Sequence, residues 1–207
     1  MAENAEYSLQ EIKRSYTPTS NNADKGILEL LVKIYLAGKM TNGYLASLNV
    51  GDEVHIRGPR GGVRYSQHLY KKLGMVAGRT GITPMFQIIR AVCESDRDTT
   101  QISLIYANRA EEDTILGQEL DAFAMRYRRI LEVYYILESH SPEWTFGSGS
   151  VTKETMADRL PSPGEDGSKV LVCGPPGMVA AAKTSLVSLG YKKPGASGKM
   201  SDEIFLF

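Results

Sequence analysis

The sequence predicts an α/β fold, a doubly wound sheet of five parallel strands in the order 3-2-1-4-5, preceded by part of an antiparallel β unit. Three observations predict it. From Leu73 onward, uncharged strand-like segments alternate with amphipathic helical ones through the rest of the chain. Before that point, apolar residues recur mainly with period two, as over Ile27 to Leu36. Two glycine turns, Gly78 to Thr83 and Cys173-Gly174-Pro175-Pro176-Gly177, each lead into a helix that begins with proline. The chain divides on this reading at residues 1–68 and 69–207.

In the first unit, Tyr7 to Thr17 alternates and reads as a strand that Pro18 ends. The polar stretch Asn21 to Gly26 turns the chain into a second strand, Ile27 to Leu36. Leu28, Leu30, Val32, Ile34 and Leu36 share one side of it, and Glu29, Lys33 and Tyr35 the other. Gly38-Lys39-Met40-Thr41 follows, with Thr41 placed to cap a short helix bearing Tyr44, Leu45 and Leu48. Glu53 to Arg57 reads as a third strand, closed by Gly58-Pro59-Arg60-Gly61-Gly62.

In the second unit, Gly74 to Ala77 carries no charge, as suits a strand covered on both faces. Thr83 is expected to cap a helix whose Met85, Ile88, Ile89 and Val92 share a face, with Pro84 where its missing N–H costs nothing. Ile102 to Ala107 is the next strand. Asp113 is expected to cap a helix with Leu116, Leu120, Phe123, Ala124 and Tyr127 on one side. Val133 to Leu137, a shorter helix over Thr152 to Leu160, Val170 to Cys173, a helix stopped by Gly190, and Ile204 to Phe207 complete the pattern.

Right-handed crossovers make 3-2-1-4-5 the natural order, and ligands of such sheets bind beyond the carboxyl ends of the strands where the winding reverses. That crevice falls between the first and fourth strands, where both proline-bearing turns land. A glycine turn at a helix N-terminus presents amides and a positive dipole end, a setting suited to phosphate-bearing cofactors.

Composition narrows the classes. The 207 residues carry 24 basic and 24 acidic side chains and are 42% hydrophobic. That balance argues against a nucleic-acid surface, which needs clustered Lys and Arg. No apolar run approaches the ~20 residues that span a bilayer, so the sequence predicts a soluble chain. Cys93 and Cys173 make no disulfide framework, and three scattered histidines offer no metal site.

Arg14-Ser15-Tyr16-Thr17-Pro18-Thr19-Ser20, Gly38-Lys39-Met40-Thr41, Arg57-Gly58-Pro59, Ala77 to Met85, Cys173 to Met178 and the terminal Phe-Leu-Phe together resemble the NADH–cytochrome b5 reductases, of the ferredoxin-reductase superfamily and with a fungal flavour. The resemblance implies that the front unit is an incomplete antiparallel FAD-binding β-barrel and that the rest is a C-terminal NADH lobe. It implies hydride transfer from NADH to FAD, then single electrons to cytochrome b5 or another haem protein. Family members carry further barrel strands ahead of the Arg-x-Tyr-Thr-Pro motif, often after a membrane anchor. The family setting is cytoplasmic, at the cytosolic face of the endoplasmic reticulum or outer mitochondrial membrane.

The resemblance also implies roles. Arg14 matches the FAD diphosphate with its planar fork, Ser15, Tyr16 and Thr17 line the flavin and ribityl chain, and Leu31, Lys33 and Tyr35 approach it from the second strand. Gly38, Lys39, Met40 and Thr41 hold the second phosphate. Gly78, Thr80, Gly81 and Thr83 admit the nicotinamide, flanked by Cys173, Gly174 and Pro175, and Phe207 ends near the flavin. Glu138 is the acidic residue that accepts the ribose 2′-hydroxyl and repels a 2′-phosphate, which favours NADH over NADPH. Thr17, Lys33 and Cys173 are the expected catalytic residues. Two positions depart from the family turns: Arg79 stands for the second glycine of Ala-Gly-Gly-Thr-Gly, and Gly177 for a third proline. The alternative reading is a catalytically impaired nucleotide-binding or interaction fragment without a complete FAD site.

Overall fold

The computed structural model describes residues 12–59, 61–195 and 198–207. Its core is a six-stranded sheet, wholly parallel, of β1 (Lys72–Gly78), β2 (Gln101–Asn108), β3 (Leu131–Leu137), β4 (Gly147–Ser148), β5 (Ser168–Cys173) and β6 (Ile204–Leu206), ordered β4-β3-β2-β1-β5-β6. Counting only the five expected strands gives 3-2-1-4-5. The addition is β4, two residues that extend the edge beyond β3.

Helices α1 (Ile82–Cys93) and α2 (Gly117–Arg126) cover one face; α3 (Lys153–Arg159) and α4 (Pro176–Ser188) cover the other. Residue alternation along the strands explains the two layers. Leu73, Met75 and Ala77 of β1 pack with Met85, Ile89 and Val92 of α1, while Val76 turns to Met156, Ala182 and Leu186 on the opposite side. Met85, Ile89 and Val92 are fully buried, each worth about 1.5–3 kcal/mol of apolar transfer.

Helix starts differ in detail from the sequence expectation. α1 begins two residues early, at Ile82, so Thr83 lies inside the helix and its hydroxyl donates to the Thr80 carbonyl at 3.2 Å. Pro84 is still within the first turn, where no amide partner is lost. α2 begins at Gly117, with Leu116 kinked into the left-handed region (φ 58°), so Asp113 ends a separate single turn (Glu111–Asp113) and caps nothing. Thr152 does cap α3, accepting from the Thr155 amide at 3.2 Å, and Gly190 (φ 106°) follows α4 as expected.

Among the described residues, 12–71 form no ladder. The expected strands Ile27 to Leu36 and Glu53 to Arg57 are therefore corrected to irregular segments; Tyr7 to Glu11 lies outside the described residues. Alternation alone makes a face, whereas a strand also needs a neighbour to bond. Here the Thr19 amide reaches the Glu29 carbonyl at 2.9 Å, and the Glu29 amide is taken by the Ser20 hydroxyl rather than by backbone. The short helix shrinks to one turn at Leu45–Ser47. Thr41 is not its cap, because its hydroxyl is held between the amide (3.1 Å) and carbonyl (3.4 Å) of Tyr35. No described helix is long and apolar enough to cross a membrane.

Candidate functional site

The two proline-bearing turns touch. β1 and β5 are adjacent, with Ala77 opposite Cys173, so both turns leave the sheet at the same height. A methyl group added to Gly81 would strike the Cys173 carbonyl and lie 2.7 Å from the Gly174 nitrogen; one added to Gly174 would lie 3.1 Å from the Gly78 nitrogen. Only glycine permits this approach of backbone to backbone. Above it, α1 and α4 both start without a side-chain cap, whereas α3 has Thr152. The uncapped amides suit the anionic and amide groups of a dinucleotide. Phe207 is at the same rim, 46% exposed, its amide bonded to the Val172 carbonyl at 3.0 Å and its ring edge-on to Phe205.

Arg79 adopts φ 53°, in the region that favours glycine. The Tyr106 hydroxyl lies 3.2 Å from its carbonyl and 3.1 Å from that of Ile115, sharing one proton between them. Burial pushes the Tyr106 phenol up, so it stays a donor at physiological pH. That hydroxyl ties the turn after β1 to the loop after β2, which carries Asp113. Asp113 accepts from Lys33 at 2.9 Å. The Lys33 hydrogen bond and charge, with Arg109 and Arg79 nearby, hold its carboxyl below the usual range.

Cys173 is partly buried, and burial pushes its thiol up to about 11, so it is a neutral thiol rather than a nucleophile. Glu138, at the end of β3, is exposed, with Arg109 at 4.0 Å, and its amide bonds the Asn108 carbonyl. Thr80 and Pro175 are half-buried at the rim, and Thr83 is buried.

In the front segment, Arg14 and Ser15 are exposed, and the Arg14 guanidinium donates to the carbonyl of Lys13 at 2.7 Å. Tyr16, Thr17 and Leu31 are half-buried, while Tyr35 is exposed. The turn at Gly38 is tight, since both the Asn42 and Gly43 amides bond the Gly38 carbonyl. The amides of Lys39, Met40 and Thr41 donate to no described protein group, which leaves three successive donors for an anion. The Thr41 hydroxyl is engaged elsewhere, so this cradle is one of backbone.

Sequence reasoning passed over the residues that join the two halves. Gln87 and Arg90, on the polar side of α1, bond the carbonyls of Pro18, Thr19 and Ser20. Asp113 drew a local explanation as a cap, although its partner is distant. A glutamine among Met85, Phe86, Ile88 and Ile89 was the available signal for a bonded contact.

The oxidoreductase NAD-binding domain family matches residues 75–184, just over half of the chain, and the oxidoreductase FAD-binding domain family matches residues 3–65. The chain is 46% identical over 199 residues to NADH-cytochrome b5 reductase 1 of Kluyveromyces lactis, covering 96% of this chain and 70% of the relative. It is 44% identical to the protein of the same name from Laccaria bicolor, covering 98% of this chain and 66% of the relative. Other similar relatives are spanned over as little as 60% of their length. Among solved structures, the cytochrome b5 reductase domain of Ulva prolifera nitrate reductase superposes with a TM-score of 0.83 at 30% identity, covering 94% of this chain and 78% of that one. The front segment is thus recognisably of the FAD-binding type, against the alternative of a fragment impaired for want of an FAD site. On the shared sequence and the two matched domains, the chain belongs to the NADH–cytochrome b5 reductase family of FAD- and NAD-binding oxidoreductases.

Proposed function

We propose that the chain is an FAD-dependent NADH oxidoreductase that delivers electrons to cytochrome b5 or a similar one-electron haem protein. The observation that carries this is the direct contact of the two glycine turns at the sheet's reversal point, beneath two uncapped helix N-termini. When bound, the cofactors supply the redox chemistry, hydride transfer from nicotinamide to flavin and then single-electron release. The protein's own work is binding and alignment.

Gly78, Thr80, Gly81 and Thr83 on one side, and Cys173, Gly174 and Pro175 on the other, form the nicotinamide seat, with Cys173 contributing bulk and shape rather than charge. Glu138 receives the ribose hydroxyls and selects NADH over NADPH by charge repulsion. Arg14, Ser15, Tyr16 and Thr17 hold the flavin side together with Leu31 and Tyr35. The amides at Lys39 to Thr41, following Gly38, bind a phosphate. Lys33 supplies a positive charge at the seam, and Phe207 flanks the rim. Cytoplasmic use fits two free thiols.

The visible spectrum of the purified chain tests this. A yellow protein that NADH bleaches, and that then reduces ferric cytochrome b5, is the expected result. A colourless chain that takes up no added FAD overturns the reading.

A further inference from the structure

Helix α1 serves the nicotinamide turn with its N-terminus and the flavin motif with its side. Gln87 Nε2 donates to the Pro18 carbonyl at 3.3 Å and the Ser20 carbonyl at 3.2 Å. Arg90 Nη1 donates to the Thr19 carbonyl at 3.0 Å and to Asp24 Oδ2 at 2.9 Å, while its Nε meets Glu94 Oε1 at 2.7 Å. Asn21 closes the ring on Glu94 Oε2 at 2.8 Å. Three consecutive carbonyls of the front segment are therefore held by two side chains of one helix. Thr19 and Ser20 are buried at 4% and 5% exposure, and Arg90 is 18% exposed, so the bonds to the three carbonyls are part-buried, whereas those to Glu94 are exposed.

We propose that Gln87 and Arg90 are positioning residues for the flavin motif Arg14 to Thr17, and that α1 sets the spacing between that motif and the nicotinamide turn. The inference rests on the functional reading above and deepens it. No ladder fixes 12–71 among the described residues, so anchors of this kind determine where Thr17 lies relative to Gly81. At 1.5 Å of rise per residue, Gln87 and Arg90 stand about 9 and 14 Å along the axis from Gly81. A rigid rod keeps that offset constant. The chemistry of the two donors is specific. Glutamine offers an N–H₂ to two carbonyls, which a carboxylate cannot do. Arginine's planar fork serves a carbonyl and two carboxylates together, which an ammonium cannot match.

The test compares Gln87→Glu and Arg90→Lys with the wild-type full chain. FAD affinity is read by flavin fluorescence, NAD⁺ affinity by calorimetry, and the flavin environment by visible circular dichroism. Gln87→Glu is expected to weaken FAD binding by about ten-fold and to alter the dichroism of the flavin it retains. Arg90→Lys should weaken FAD binding several-fold, and NAD⁺ affinity should stay within two-fold of wild type in both. FAD affinity equal to wild type in both variants overturns the proposal, as does a parallel fall in FAD and NAD⁺ affinity, which marks general damage. If Gln87→Glu does not fold, Arg90→Lys decides by the same outcomes. A wild-type chain that binds no FAD overturns the functional reading and the positioning role with it; a wild type that binds FAD beside unaffected variants overturns the positioning role alone.

Discussion

Lys33 and Asp113 are eighty positions apart in sequence and 2.9 Å apart in space, one from the front segment and one from the loop after β2. Both side chains are about one-third exposed (37% and 31%), so the pair is a modest fastener. Asp113→Asn is expected to cost less than about 1 kcal/mol in chemical denaturation at neutral pH. Because Lys33 lowers the folded-state value of this carboxyl, the wild-type advantage is fully present above the unfolded value of about 3.9 and is lost as pH falls through the lowered one. A difference that grew on acidification would contradict the assignment.

Arg79→Gly should stabilise the chain. A non-glycine residue at φ 53° carries strain that glycine does not, and after allowing for glycine's greater unfolded-state freedom the gain is about 0.5–1 kcal/mol. Melting should shift upward by about 1–4 °C. NADH binding, titrated by fluorescence, should tighten as the long side chain leaves the turn.

Two glycines near the crevice should behave oppositely. At Gly81 a methyl meets backbone of the facing turn, so Gly81→Ala is expected to lose about 1–3 kcal/mol and most NAD⁺ affinity. At Gly177 nothing lies within 4 Å, and the residue is inside α4, so Gly177→Ala should be neutral or stabilising by up to about 1 kcal/mol. Equal effects at both positions would refute the packing described.

Cys173 should resist alkylation. With its thiol raised to about 11, only about one molecule in a thousand carries the thiolate at pH 8. Maleimide labelling followed by mass spectrometry should be slow at neutral pH and accelerate toward pH 11. Rapid labelling at pH 7 would place the sulfur in a different setting.

Glu138→Gln should narrow the preference for NADH over NADPH by roughly ten-fold, since one unit of charge near a 2′-phosphate is worth about 1–2 kcal/mol at this exposure. Comparing kcat/KM for the two dinucleotides measures it. An unchanged ratio would remove Glu138 from the ribose site.

From Leu73 on, the sequence was legible because apolar period and burial coincide: Met85, Ile89 and Val92 lie on one face, and β1 is covered on both sides. The reversal point followed from the alternation of strand and helix together with right-handed crossovers, and it brought Gly81 to Cys173 as expected. What stayed hidden were relations between distant residues. Nothing near Asp113 in sequence names Lys33, and local rules offered a cap instead. Likewise the alternation over Ile27 to Leu36 was real, yet pairing depends on what lies alongside, and no described strand does. Gln87 and Arg90 carried no expectation at all, because a second lobe docking on a helix leaves no periodic trace.

With no ladder among its described residues, the front segment leaves Ile27, Leu36, Val50 and Ile56 at 67%, 90%, 109% and 60% exposure. Exposed apolar side chains attract one another more strongly on warming and in sulfate-rich buffers. Cold, low-sulfate handling will therefore yield the most monodisperse preparations, and light scattering should climb with temperature well before the sheet melts.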